Sequence, residues 1–132
     1  MSNEAFADVE AAVMSWLGGG LTEYVGDQVP SKEQRPGIVV IRLGGPRINV
    51  AAEDATVTIE AWAQPGQWPA AHALILRARQ RMHAVVGTLV DGVTFVKVSE
   101  FAGPGRLIDP VSGAARYVMT FSLRVRTLAP TP

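Results

Sequence analysis

The sequence predicts an α+β fold, a two-layer sandwich in which a mainly antiparallel sheet of about four strands carries two helices on one face. Three observations predict it. Two segments repeat apolar residues at helical spacing, the remaining regular segments alternate apolar and polar residues with a period of two, and the order along the chain is α-β-β-α-β-β. Strands that are apolar on one side only need one covering layer, so both helices belong on the same side.

The first helix is expected over residues 4 to 17. Phe6, Val9, Val13, Trp16 and Leu17 recur at helical spacing, Ser2 or Asn3 can cap its start, and Glu4 and Asp8 sit where the helix dipole favours negative charge. Gly18-Gly19-Gly20 ends it, since consecutive glycines stop a helix and permit positive φ. Residues 21 to 36 read as irregular, punctuated by Pro30 and Pro36. Residues 38 to 43 read as a strand closed by Gly44-Gly45-Pro46, and residues 46 to 54 as a loop ending in Glu53-Asp54.

Residues 56 to 63 alternate cleanly, with Val57, Ile59, Ala61 and Ala63 on one side and Thr56, Thr58, Glu60 and Trp62 on the other. After Gln64-Pro65-Gly66 a second helix starts at Pro69, with Ala71, Leu74, Ile75, Ala78, Met82 and Val85 as its apolar stripe and Gly87 as its stop. Asp91-Gly92 is a turn signal ahead of a strand over 93 to 101. Residues 102 to 115 hold Gly103-Pro104-Gly105, Asp109-Pro110 and Ser112-Gly113 and read as a long loop. Residues 116 to 126 form the last strand, in which Tyr117, Met119, Phe121, Leu123 and Val125 alternate with polar or smaller neighbours. Residues 128 to 132 read as a loose tail.

Composition narrows the function. At 132 residues and 48% apolar, the chain is one domain in length and can bury a core without staples. It has no cysteine, which removes disulfides, thiolate-bound zinc, iron–sulfur clusters and cysteine nucleophiles. The formal charge is zero, so no global field draws in nucleic acid. No apolar run approaches the length that spans a bilayer, and the acidic start lacks the positive charge of a secretory signal, so the expectation is a protein made in a cytoplasm. Ten of the twelve cations are arginine, a side chain suited to interfaces as well as typical of a GC-rich genome.

The catalytic inventory is thin. His72 and His83 share one helix but stand about 16 Å apart along its axis, too far to hold one metal ion. There is no G-x-S-x-G, S-x-x-K or H-E-x-x-H. Gly18–Gly20 closes a helix, whereas a phosphate-binding loop opens one and carries a lysine. The expectation is a protein that works by binding other proteins, with no enzyme activity, cofactor or metal.

Several features in order resemble the tail terminator proteins of long-tailed, non-contractile bacteriophages, in their actinobacterial-phage versions. They are the amphipathic helix over 8 to 17, the strand Val39-Val40-Ile41-Arg42-Leu43 with Gly44-Gly45-Pro46, and the strand from Asp54 to Ala63 running into an Ala- and Arg-rich helix. The closing half carries Val98-Ser99-Glu100-Phe101-Ala102-Gly103-Pro104, Asp109-Pro110, Ser112-Gly113 and Arg116-Tyr117-Val118-Met119-Thr120. The resemblance implies one domain over residues 1–132 that assembles with itself into a ring, generally sixfold, at the head-proximal end of the tail tube. Its partners would be the tail-tube protein and a head-completion or connector protein, with no cofactor, no membrane and no sequence-specific nucleic acid. Two other readings stay open: another small virion protein (a connector subunit or a tail-tube protein), and a small-molecule binding domain.

The candidate contact residues follow from exposure. Trp62 and Trp68 are expected as exposed aromatics, which interfaces favour. Arg124 and Arg126 belong to the sheet face away from the helices. Arg77 and Arg81, like charges one turn apart, call for acidic partners such as Glu4, Asp8, Glu10 or a neighbour's carboxylate. Arg106, Leu107, Ile108 and Asp109 would form an apolar tip with a charged rim on the long loop.

Overall fold

The computed structural model describes residues 8–44 and 52–127. Helix α1 runs Val9–Gly18 and α2 runs Trp68–His83; the strands are β1 Tyr24–Gly26, β2 Gly37–Gly44, β3 Ala52–Ala63, β4 Leu89–Val90, β5 Val93–Ile108 and β6 Ala115–Thr127. They form one mixed sheet in the order β1-β2-β3-β6-β5-β4, six strands where the sequence suggested about four. β1 is parallel to β2, and every other neighbouring pair is antiparallel. The α+β class and the helix-covered face stand. The strand count does not, because β1 and β4 are too short to show a period.

Each helix is set by local chemistry. Asp8 caps α1, its carboxylate accepting from the Ala11 N–H at 2.8 Å, so the helix starts at Val9. The caps suggested at Ser2 and Asn3, the core position suggested for Phe6, the turn at Gly45-Pro46 and the tail from residue 128 lie outside the described residues. Pro69 sits in the first turn of α2, where its missing N–H has no partner to lose. The predicted stripe of α2 is buried in full.

Both helices cover the same face. Val9, Val13 and Leu17 of α1 and Leu74, Ile75, Ala78 and Met82 of α2 share one core with Ile38, Val40, Val57, Ile59, Phe95, Met119, Phe121, Leu123 and Val125. Glu53 and Asp54 belong to strand β3 and not to a loop, because β3 starts at Ala52 and pairs with β6 from Arg126 onward. The register is continuous from Ala52↔Arg126 to Ala63↔Ala115, and this long central pair is the frame for everything else.

The largest difference from the sequence lies in residues 102 to 115. Most of this stretch is strand: β5 continues through Gly103-Pro104-Gly105 to Ile108 and stays paired with β6 as far as Ala115. Register shifts fall between Phe95 and Lys97, between Glu100 and Ala102, and between Ala102 and Gly105. Such bulges let a strand absorb glycine and proline while bending it, and Pro104 is tolerated because β5 beyond Phe95 pairs on one side only among the described residues. The connecting turn is short. Asp109 closes it, its carboxylate accepting from the Ser112 N–H at 2.8 Å and the Ser112 hydroxyl at 2.6 Å.

Candidate protein interaction surface

The helices are locked to one another by a reciprocal contact. The Trp16 indole N–H donates to the Arg81 carbonyl at 2.7 Å, and the Arg81 Nε–H donates to the Trp16 carbonyl at 2.9 Å. The Arg81 guanidinium lies 3.7 Å from the Trp16 ring centre, close enough for a cation–π attraction. Arg81 therefore has an aromatic partner and not the acidic one expected of it. This contact also explains Gly20: a Cβ there would stand 2.3 Å from Arg81 Nε. Gly20 thus makes room for Arg81, and no positive φ occurs in Gly18–Gly20. Arg77 does find an acid, but it is Glu23, reached by both terminal nitrogens, one at 3.1 Å. The pairing holds the Glu23 carboxyl below its ordinary range.

On the face away from the helices, Trp62 is only 5% exposed, which corrects its expected place on the surface. It packs with Val39 and with Ala114 from the β5–β6 turn, and its indole N–H donates to Glu60 at 2.8 Å. The guanidinium groups of Arg35 and Arg116 stand 5.7 Å and 5.1 Å from its ring centre. Further along this face Arg124 grips Asp54 at 2.9 and 3.0 Å, which lowers the Asp54 pKa. Thr58 and Thr120 pair their hydroxyls at 3.2 Å, and Arg126 is exposed. The face is largely self-satisfied, and Arg126 is the predicted residue there that stays open.

The far half of β5 is different. Arg106 turns to the helix side, where its guanidinium lies 3.8 Å from the Trp68 ring centre, and Trp68 in turn meets Tyr117 edge-on at 5.9 Å. Glu100 accepts from Arg79 at 3.0 Å and lies 2.8 Å from His83 Nε2; the Arg79 hydrogen bond, then that of His83, lowers its pKa. Asp109 is likewise lowered, by the Ser112 hydroxyl first. Around these fastenings stand exposed apolar side chains: Phe101 at 79%, Leu107, Ile108, and Val111 at 94%. Leu107 and Ile108 are the pair expected at a loop tip, here displayed by a strand. Phe101 and Val111 were not expected. For Phe101 the signal was its neighbourhood, since an aromatic beside Gly103-Pro104-Gly105 falls where regular alternation stops.

Among the described residues there is no cluster of metal-ligating side chains, and no helix is long and apolar enough to cross a membrane. The profile of one family, described as tail completion protein gp17, matches residues 7–126. This chain belongs to that family. The tail completion family is a structural family of the phage virion tail and not an enzyme class, so the chain is a virion tail structural protein.

No curated protein matches the chain significantly. Among solved structures it is similar to a chain in the virion of a native gene transfer agent (GTA) particle, at 16% identity and a TM-score of 0.62. That match covers 89% of this chain and 94% of the other, and it establishes a shared fold.

Proposed function

We propose that this tail completion protein acts as a tail terminator. One domain spanning residues 1–132 assembles into a ring of six on the head-proximal end of the tail tube, stops tube growth, and presents a surface to a head-completion or connector protein. The observation that carries this reading is the exposed apolar side chains of the β5–β6 hairpin, Phe101, Leu107 and Ile108 on β5 and Val111 in the turn. Side chains of this kind held out by a hydrogen-bonded hairpin do nothing for the monomer's core, and large apolar side chains gathered in the open on one element mark a contact surface. A family whose work is completing a tail supplies the reason for such a surface. The arrangement calls for no membrane, cofactor or sequence-specific nucleic acid.

The test adds the purified protein to polymerising tail-tube subunits and follows the products by electron microscopy. Capping yields discrete rings, and tubes that stop growing with a ring at one end. Tubes of unaltered length would overturn the proposal. Long tubes built from this chain alone would favour a tube protein, and rings that bind connector but leave tube growth unchanged would favour a connector subunit.

A further inference from the structure

The two edges of the sheet differ in a way that sets how copies meet. At one edge stands β5, hydrogen-bonded to β6 on its inner side and, beyond Phe95, to no strand on its outer side among the described residues. It bears Phe101, Leu107 and Ile108 exposed, together with the exposed Lys97 and Arg106; neither forms an ion pair among the described residues, although the Arg106 guanidinium lies on the Trp68 ring. Its one acid, Glu100, is committed to Arg79 and His83. At the opposite edge stand β1 and the segment after it, with Val29 exposed at 50% and with Asp27 and Glu33 exposed and unpaired among the described residues; of the two cations in that segment Lys32 is exposed, whereas Arg35 is half-buried with its guanidinium 5.7 Å from the Trp62 ring centre. Leu43 of β2, the next strand in, is exposed as well.

We infer that copies of this chain join head to tail, the outer side of β5 in one copy seating on the β1–β2 edge of the next. The inference rests on the proposed ring and names its contact. The occupant is a second copy because both edges expose apolar side chains and their exposed charges are of opposite balance: Lys97 and Arg106 on β5, and Asp27 and Glu33 against Lys32 beside β1. Patches that differ and lie on opposite edges make a heterologous contact, which closes into a ring when the rotation between copies permits. The contact runs through side chains and not through strand addition. The three register shifts in the β5–β6 pairing bend β5, and Pro104 has no N–H to offer a further strand; bulges and proline of this kind keep an open edge from recruiting strands without limit.

The absence of native cysteine makes the test clean. Val29→Cys and Phe101→Cys, both at exposed positions, are made singly and together and treated with a short bismaleimide. The expected result is a ladder of covalent oligomers from the double variant, and heterodimers linked between positions 29 and 101 from a mixture of the two single variants. Either single variant alone should stay monomeric. Covalent dimers of Phe101→Cys alone would mean a symmetric β5–β5 contact and would overturn the inference. So would unlinked double variant in a preparation where microscopy shows rings, and in that case the terminator reading survives. If the wild-type chain forms no rings with or without tubes, both fail together.

Discussion

The two ends of β5 run on one strand and live in different surroundings. At the start, Val93 and Phe95 are buried under the helices, in the same core as Met82 and Val85. At the far end, Phe101, Leu107 and Ile108 face solvent although the backbone remains paired with β6. Apolar residues in the first region stabilise the fold. Those in the second are held in place by the fold and contribute little to it. A strand's hydrogen bonds thus carry a rigid apolar surface beyond the reach of the helix layer, which a flexible loop of the same composition would present at a greater cost in ordering entropy.

The sharpest way to break this contrast is to truncate one side chain in each region. Leu74→Ala, beneath α2, should destabilise the protein by about 2–5 kcal/mol in chemical denaturation, through lost burial and the cavity left behind. Phe101→Ala should change stability by no more than about 0.5 kcal/mol and weaken ring formation, raising the protein concentration it requires. Equal losses of stability would show that Phe101 belongs to the core, and the contrast would be void.

What could be read from the sequence divides along the same line. The stripe of α2 and the alternation of β3 and β6 were legible because each is a local period imposed by a single covering layer. The far half of β5 was not. Gly103-Pro104-Gly105 is loop punctuation in a central strand but is compatible with an edge strand, and edge position depends on partners remote in sequence. The alternation put Trp62 on the correct face but could not show that Ala114, over fifty residues later, would close over it. The charge pattern asked for a carboxylate beside Arg81, whereas the chain supplies the face of Trp16 from the other helix. Leu107 and Ile108 were legible as exposed apolar residues from their charged neighbours, though not as parts of a strand.

Within the covered region, the Trp16–Arg81 contact offers a second and smaller test. Arg81→Ala removes the ring stacking and the bond to the Trp16 carbonyl, and should cost about 1–2 kcal/mol. Arg81→Lys should recover only part of this, since an ammonium has no planar face to lay on the indole. The same mechanism predicts that Gly20→Ala loses stability by displacing Arg81. If Arg81→Ala and Gly20→Ala each destabilise and the double variant is no worse than Arg81→Ala, the two act through one contact. Additive losses would separate them.

The smallest expected effect sits where the two regions join. Glu100 ties β5 to α2 through Arg79 and His83, at the point where the strand leaves the helix layer. Its folded pKa lies below the ordinary 4.5, chiefly through the Arg79 hydrogen bond. A depressed carboxylate pKa means the stabilisation is present in full above the unfolded value and is lost as pH falls through the folded one. The window is therefore acidic, below pH 4.5. Arg79 is 44% exposed, so solvent screening keeps the contribution below about 1 kcal/mol. Glu100→Gln should lower stability slightly at neutral pH and flatten its decline in that acidic window. Amide exchange shows where the effect acts: residues 101–108 should exchange faster in the variant while the core of α2 keeps its protection, because the fastening holds the hairpin and not the helix. Faster exchange in both would mean that the far half of β5 and the helix layer open as one unit, and that the hairpin is part of the core's cooperative structure and not a surface carried by it.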